Sequence, residues 1–407
     1  MRSGIERGFC LSGLALVCAC GASGSGNLRA PVSYSTCATP VAIFAADVTG
    51  DGKLDLVTPC PSIGIVASLA GNGDGTFQAP VVSPVPAWPS TPAVLEDFNR
   101  DGKPDLALGS FFDPSLGSIS DGGVAVLLGN GDGTFARPEI FLPGAPVLEL
   151  AAGDLFGSAT PPALLVSTGA ALASSFSLNV LVGLGDGSFS RGPSLGIGGA
   201  PPAGGIVRGG LAIGAIRSDG GSEVLLSFAP PAAGAALVQA FRGSPDGGLS
   251  AGPTSPLPGA YVVELRDISG DGMGDLVGIG GSSVAVALGK GDGTFLQPKL
   301  FPAGGTPIDL GVADFNGDGN LDIAVVTTPG PPVGLCRQRG GASVGILLGD
   351  GKGGFAAVES FALSSAGSGV GGLAVGDLDG DGKPDVATYD GWTGEVYVLL
   401  DAWRWAG

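Results

Sequence analysis

Residues 377–385 read DLDGDGKPD, and residues 47–55, near the other end of the chain, read DVTGDGKLD. Each stretch places oxygen-bearing side chains at its first, third, fifth and ninth positions and glycine at its sixth, where glycine allows a sharp turn. Carboxylates held this close together repel one another unless a cation lies among them. The chain therefore repeats one acidic device, and the repeat is the first guide to its fold.

The acidic stretch recurs along the whole chain of 407 residues. Two decayed copies begin at Asp154 and Ala215, and the seven starts are separated by 50, 57, 61, 52, 47 and 63 residues. A second motif, GNGDGTF at 71–77, recurs in exact or varied form once in each unit except the last. The five intact acidic stretches begin at Asp47, Asp97, Asp267, Asp314 and Asp377.

Short apolar segments such as DLVT at 55–58 and VAVLLG at 124–129 flank these motifs. They are rich in aliphatic residues and bounded by turn signals, which is typical of strands. Four strands in each of seven units predict an all-β, seven-bladed propeller of four-stranded antiparallel blades. The last unit lacks its Gly-rich turn. Because LRAPVSY at 28–34 resembles FQAPVVS at 77–83, we expect an N-terminal strand to complete the last blade and close the ring.

Composition limits the function classes. The chain contains 77 glycines and 32 prolines, yet 44% of its residues are hydrophobic, which supports a core built from many short strands. Its formal net charge of −18 argues against nucleic acid or an anionic membrane surface as a partner. It has no histidine, which excludes Ser-His-Asp triads, Cys-His pairs and His-ligated zinc.

The N-terminus predicts export. Arg2 and Arg7 precede an apolar run from Phe9 to Cys20, which is too short to span a bilayer and is typical of a signal peptide over residues 1–19. The run ends Val-Cys-Ala-Cys, which resembles a bacterial lipobox with Cys20 as the acylated residue. A lipid anchor and free secretion both remain open. Residues 20–27 read as a flexible linker and 28–407 as the propeller.

The acidic loops predict calcium sites, about five in all, because calcium takes about six to eight oxygen ligands. An EF-hand also requires Glu at the twelfth position, which no copy has. Asx turns without metal are the alternative. The predicted ligands, with a backbone carbonyl at the seventh position, are Asp47, Thr49, Asp51, Lys53, Asp55; Asp97, Asn99, Asp101, Lys103, Asp105; Asp267, Ser269, Asp271, Met273, Asp275; Asp314, Asn316, Asp318, Asn320, Asp322; and Asp377, Asp379, Asp381, Lys383, Asp385.

Five copies of D-x-[DNST]-x-D-G-x-x-D at this spacing resemble the FG-GAP, or VCBS-type, repeat of integrin α-subunit propellers and of many secreted bacterial proteins. The resemblance covers residues 28–407. It implies that each loop joins the first and second strands of a blade, that calcium stiffens that rim, and that the propeller is a binding scaffold. Arg100 stands where the other four loops have glycine, and the loops at Asp154 and Ala215 lack too many oxygens for the implied sites.

We expect a monomeric binder of an extracellular protein or glycan rather than an enzyme. The alternative is a polysaccharide-active enzyme, either a carboxylate-based hydrolase or a calcium-assisted lyase, but nothing in the sequence pairs the few acids outside the loops. A binder needs aromatic or arginine anchors on its loops. The rim opposite the acidic loops is predicted to receive several, with packing against blade edges as the alternative: Trp88, Phe111, Phe112, Arg337, Arg339, Tyr389 and Trp392.

Three cysteines, Cys37, Cys60 and Cys336, lie in the predicted propeller. Cys37 precedes the first strand of the first blade and Cys60 follows the second, so both connections emerge on one rim beside strands about 5 Å apart. A disulfide between them is therefore expected, with Cys336 unpaired. Three free thiols are the alternative, because a domain with this much core does not need a crosslink.

Overall fold

The computed structural model describes residues 31–86, 92–110, 122–157, 160–169, 175–198, 210–217, 222–228, 237–244, 248–257, 262–328, 341–363 and 369–401. In these ranges, 28 strands form seven four-stranded antiparallel sheets, which confirms the seven-bladed propeller. A single 3-10 turn, Pro61–Ile63, is the one helical element there, and no described helix has the length and apolar character to cross a membrane. The predicted signal peptide, the linker and Cys20 lie outside the described residues.

Blades 1 to 4 each use four consecutive strands. Blade 1 contains β2 (Phe44–Ala46), β3 (Asp55–Cys60), β4 (Ile65–Leu69) and β5 (Val81–Pro84). Blade 2 contains β6 (Ala93–Glu96), β7 (Asp105–Gly109), β8 (Val124–Leu127) and β9 (Glu139–Phe141). Blade 3 contains β10 (Val147–Gly153), β11 (Ala163–Thr168), β12 (Ser175–Gly183) and β13 (Phe189–Gly198). Blade 4 contains β14 (Leu211–Ala215), β15 (Ser222–Phe228), β16 (Leu237–Gly243) and β17 (Leu249–Pro256).

Blades 5 and 6 follow the same order, and blade 7 takes strands from both ends of the described chain. Blade 5 contains β18 (Val262–Arg266), β19 (Asp275–Gly280), β20 (Ser283–Ala287) and β21 (Lys299–Pro302). Blade 6 contains β22 (Thr306–Ala313), β23 (Asp322–Thr328), β24 (Ser343–Leu347) and β25 (Glu359–Ala362). Blade 7 contains β26 (Val370–Gly376), β27 (Asp385–Asp390), β28 (Glu395–Leu399) and β1 (Val32–Ser35).

The ring closes through β1. It pairs antiparallel with β28, with Val32 opposite Val398 and Ser35 opposite Glu395. This confirms the predicted N-terminal strand. Without β1, one edge of β28 in blade 7 would be unpaired and would expose a row of backbone donors and acceptors.

The core lies between blades rather than inside any one of them. The second and third strands are almost wholly buried, as in β7 and β8, whereas first strands are half-buried and fourth strands largely exposed. One cluster combines Val57 and Val66 of blade 1 with Leu106 and Leu127 of blade 2. First strands of neighbouring blades also contact one another, as β22 does β26, and so line the central channel.

The Gly-rich turns of blades 1 and 2 each form a hydrogen bond with the preceding blade of the ring. The Gly75 N–H donates to the Leu378 carbonyl at 3.0 Å, and the Gly133 N–H donates to the Val48 carbonyl at 2.9 Å. Gly75 has a φ of 78°, and a Cβ at this position would collide with the Leu400 side chain of blade 7. The second glycine of GDGTF is therefore required by conformation and by close packing.

A disulfide joins Cys37 to Cys60, whose Cα atoms lie 6.3 Å apart. Both cysteines are buried beside Ala67. Because Cys37 follows the closing strand of blade 7 and Cys60 ends β3 of blade 1, the bond ties the seam of the ring to the first blade. Cys336 lies outside the described residues.

Candidate functional site

Each intact acidic loop joins the first and second strands of its blade and wraps around its own first aspartate. In blade 1, Asp47 Oδ1 accepts the N–H of Gly50 at 2.6 Å and of Asp51 at 3.2 Å, while Oδ2 accepts that of Gly52 at 2.8 Å. Gly50 and Gly52 have φ values of 73° and 82°, a region that favours glycine. The bond from the sixth-position glycine recurs at Asp97, Asp267, Asp314 and Asp377.

The residues at the third, fifth and seventh positions complete this wrapping. The Asn99 and Asn316 side-chain oxygens accept the N–H of Asp101 and Asp318, respectively. The seventh residue of every intact loop donates its backbone N–H to the fifth-position aspartate, as Lys53, Lys103, Met273, Asn320 and Lys383 do to Asp51, Asp101, Asp271, Asp318 and Asp381. The loops are thus preformed turns whose carboxylates retain further lone pairs for a cation.

The ninth aspartate of each loop is buried and connects two loops of its blade. Asp55 is 0% exposed; its Oδ2 accepts the N–H of Val48 and of Thr49, each at 2.9 Å, and its Oδ1 accepts that of Gly71 at 2.8 Å. Gly71 begins the Gly-rich turn. Equivalent bonds reach Asp105 from Gly129, Asp275 from Gly289, Asp322 from Gly349 and Asp385 from Asp401.

Burial raises the pKa of all five ninth-position aspartates, because desolvation outweighs the backbone N–H groups that stabilise the anion. The pKa rises to about 6 for Asp105 and Asp322 and to about 7 for Asp385. It is also raised for Asp55 and Asp275. A cation beside these carboxylates would offset the cost of burying their charge.

The residues fit a calcium ion best in blade 7. Carboxylate oxygens of Asp377, Asp379 and Asp385 lie within 4.8 Å of one another, the one such acidic group found in the described part of the chain. In blades 1 and 5 the hydroxyl oxygens of Thr49 and Ser269 are buried near the ninth-position carboxylates but make no hydrogen bond of normal geometry. Buried oxygens of this kind suit a hard cation with oxygen ligands.

An arginine side chain lies beside one acid of each decayed loop. Arg100 projects from the blade 2 loop, donates from Nη2 to the Thr160 carbonyl, and lies with Nη2 3.7 Å from Asp154 Oδ1 of blade 3. Its φ of 59° resembles that of the glycines in the other loops, so the turn is preserved. The sequence alone indicated neither contact.

In blade 4 the arginine comes from the loop itself. Arg217, at the third position, lies with Nε 3.5 Å from Oε1 of Glu223, at the ninth, and donates from Nη1 to the Asp292 carbonyl at 2.8 Å. Glu223 is 3% exposed. Two features of the sequence indicate this ion pair: the ninth position keeps an acid, Glu223, and the third position has an arginine, Arg217.

On the rim opposite the acidic loops, Trp392 is the predicted anchor that the structure places at the surface. It is 74% exposed on the turn between β27 and β28. Asp390 Oδ1 accepts the N–H of Trp392 at 2.8 Å and of Thr393 at 3.2 Å, which holds the turn. The indole packs on Gly369, where a Cβ would lie 2.7 Å from Trp392 Cγ.

Tyr389 departs from the prediction of an exposed anchor. It is 8% exposed, and its hydroxyl donates to the Val41 carbonyl at 2.7 Å. A Cβ on Gly371 would overlap its ring, so the ring lies directly on the inner strand of blade 7. Tyr389 therefore packs between blades 7 and 1. The remaining predicted anchors lie outside the described residues: Trp88, Phe111, Phe112, Arg337 and Arg339.

Glu264 and Asp309 are two of the acids that lie on inner strands. Arg266 Nη2 is 2.7 Å from Oε1 of Glu264, and the two oxygens of Asp309 accept the N–H groups of Leu310 at 2.9 Å and Leu373 at 2.8 Å. Burial raises the pKa of Glu264 to about 7, with Arg266 opposing the rise and Asp309 adding to it. Burial likewise raises the pKa of Asp309 to about 6.

Residues 267–325 and 335–388 match the FG-GAP-like repeat family. No curated protein matches the chain. Among solved structures, an Agrocybe aegerita lectin described as recognising non-reducing terminal N-acetylglucosamine is 23% identical, with 80% of each chain covered and a TM-score of 0.51. BBS1N, solved in complex with ARL6DN, is 12% identical, with 92% of this chain and 96% of that chain covered and a TM-score of 0.55.

A third structure, the exotype rhamnogalacturonan lyase YesX, is 14% identical, with 91% of this chain and 75% of that chain covered and a TM-score of 0.49. In all, 198 chains of known structure match. The likeness to the lectin and to BBS1N shows the fold alone, because both are less than 25% identical to this chain and one fold can serve unrelated functions.

Proposed function

We propose that this chain, a seven-bladed propeller that contains FG-GAP-like repeats, is a calcium-stabilised scaffold that binds an extracellular protein or glycan. The five intact acidic loops would take about five calcium ions and stiffen one rim, leaving the opposite rim to contact the partner. The converging carboxylates of Asp377, Asp379 and Asp385 carry the calcium part of the proposal.

Trp392 supports the binding part. Its indole is held on a rigid turn by Asp390 and supported from below by Gly369, so it presents an ordered flat apolar surface at little entropic cost. Exposed aromatic rings of this kind anchor protein and sugar partners. The lectin described above indicates that a related fold can bind a sugar.

The proposal places the protein outside the cytoplasm, either lipid-anchored through Cys20 or freely secreted. The Cys37–Cys60 disulfide supports this compartment, because disulfides persist where the environment is oxidising. We propose a monomer that does not bind nucleic acid, in keeping with the net charge of −18.

The proposed function includes no catalytic step. In the described part of the chain, three acids outside the acidic loops have raised pKa values: Glu264, Asp309 and Glu96. Glu264 pairs with Arg266, Asp309 accepts two backbone N–H groups, and the acid beside Glu96, Asp97, accepts N–H groups of its own loop. A free general acid facing a general base would be needed for glycoside hydrolysis.

Binding is tested by passing polysaccharides and surface extracts over the immobilised protein in calcium. We expect retention without new reducing or unsaturated ends, and loss of retention in Trp392→Ala. The matched control is Leu184→Ala, which truncates a 58% exposed side chain on the Gly-rich turn of blade 3, at the acidic rim. New chain ends would show an enzyme, and undiminished retention by Trp392→Ala would show that another surface binds.

Calcium is tested separately by thermal unfolding with calcium and with chelator. At a few times its dissociation constant, each ion should contribute about 1 kcal/mol, so five ions should raise the Tm by roughly 5 °C, and chelator should reverse the rise. Asp381→Ala should remove part of the shift. A Tm indifferent to both calcium and chelator would contradict the metal assignment.

A further inference from the structure

A cavity of about 440 Å³ opens on the central channel where blades 7, 1 and 2 meet. Its wall is formed by the inner strands β26, β2 and β6 and by part of the blade 2 acidic loop. Apolar side chains dominate the lining, among them Phe44, Leu95, Leu373 and Val375. Its volume lies within the range of small-molecule sites, about 300–1,000 Å³.

Among the described residues, the charged ones that line this cavity are Glu96 and Asp97. Asp97 is occupied by its own loop, because its oxygens accept the N–H groups of Asp101 and Gly102. Glu96 is half-buried, and in the described part of the chain no lysine or arginine nitrogen lies within ion-pair distance of it. The charges that act on it, Asp97 and Asp154, are both negative.

We infer that this cavity binds an organic cation with an apolar body. The body would lie against Phe44, Leu95 and Leu373, and an ammonium or amidinium group would pair with Glu96. Charge complementarity decides the class: Glu96 is a carboxylate in an apolar wall with no described lysine or arginine within ion-pair distance, so it attracts a cation and repels an anion. The site adjoins the blade 2 acidic loop, because Asp97 and Gly102 belong to both, and it is separate from the rim that carries Trp392.

The test compares three probes of equal chain length, octylamine, octanol and octanoate, by titration calorimetry at physiological ionic strength, which weakens pairing at exposed carboxylates. With calcium present, we expect octylamine to bind about fivefold more tightly than octanol, in line with one partly shielded ion pair, and octanoate to bind most weakly. Glu96→Gln should bring octylamine to the affinity of octanol while leaving octanol unchanged.

Glu139→Gln is the matched control, since it removes the same charge from an exposed site on the outer strand β9. It should leave the octylamine affinity as in the parent. Leu95→Ala supplies a second measurement and should weaken octylamine and octanol by the same factor. Equal affinity for the three probes, equal effects of Glu96→Gln and Glu139→Gln, or no binding by the folded protein would overturn the proposal.

Discussion

The acidic rim of the propeller contains two kinds of loop, which differ in the positive charge that balances their acidic side chains. In blades 1, 2, 5, 6 and 7, several acids crowd a turn whose ninth aspartate is buried, and we propose that calcium balances them. In blades 3 and 4 some of those acids are gone, and in each of these blades a guanidinium group lies beside one acid that remains: Arg100 beside Asp154, and Arg217 beside Glu223. On this proposal a positive charge lies beside the acids in both kinds of loop: a calcium ion in one and an arginine in the other.

The comparison also separates two roles within the intact loops. Asp51 is exposed at the turn, whereas Asp55 is buried and accepts three backbone N–H groups from two loops. The decayed loops do not separate the two positions, because blade 3 has lost both acids, to Ser158 and Pro162, whereas blade 4 keeps both, as Asp219 and Glu223.

The largest expected effect follows from that difference. Asp55→Ala leaves the N–H groups of Val48, Thr49 and Gly71 without their acceptor, so the free energy of unfolding should fall by about 4 kcal/mol, with or without calcium. Asp51→Ala should cost about 1 kcal/mol, and only when calcium is present. Urea unfolding in calcium and in chelator measures both, and equal losses in chelator would refute the distinction.

In blade 4 the corresponding test removes the built-in cation. Arg217→Met should lower the free energy of unfolding by about 2 kcal/mol, because Glu223 is buried and loses this ion pair. Adding Glu223→Gln should recover most of that loss, and neither change should depend on calcium. A double-mutant cycle measured by urea unfolding tests this expectation. If the effects of the two substitutions on the free energy of unfolding are additive, the pair contributes nothing to stability.

Glu264 lies on the inner strand β18, outside both kinds of loop, and so allows a comparison with a partly buried acid that has no loop around it. Its pKa is raised from 4.5 to about 7 in the folded protein, so the folded state binds this proton more tightly than the unfolded state does. The associated stability is present below pH 4.5 and is lost as the pH rises through about 7.

Glu264→Gln should therefore reduce the fall in unfolding free energy between about pH 5 and about pH 8, by about 2 kcal/mol. Arg266 and Asp309, the charged groups that act on Glu264, remain in place in this variant. Glu139→Gln, on an exposed strand, is the control. Superimposable pH profiles for the two variants would show that Glu264 titrates normally.

The smallest effect is expected at Arg100, whose ion pair is exposed. Arg100→Ala should cost about 1 kcal/mol, since it removes the contact with blade 3 and keeps a side chain at a φ of 59°. Arg100→Gly also loses the contact but relaxes the backbone, and should be more stable than the alanine variant by about 1 kcal/mol. Thermal unfolding compares them; an alanine variant at least as stable as the glycine variant would contradict the strained turn.

The blade count and the closing strand could be predicted because they depend on local chemistry repeated many times. The hydrogen-bond partners of Asp55 could not be predicted. One of them, Gly71, lies 16 residues away, and no sequence pattern identifies which backbone N–H group a side chain will accept. Tyr389 was misjudged for a similar reason. Its ring is buried because Gly371 has no side chain, and the paired glycines in VGGLAVG at 370–376 were the available signal.

The most direct test of the calcium account is hydrogen exchange with mass spectrometry, comparing the protein in calcium and in chelator. Amide protection should increase in peptides covering 47–55, 97–105, 267–275, 314–322 and 377–385, because a bound ion fixes loops that otherwise open locally. Peptides covering the blade 3 and blade 4 loops, which use arginine, should change little. Exchange that calcium leaves unchanged in all seven loops, or slows equally in all seven, would contradict the account.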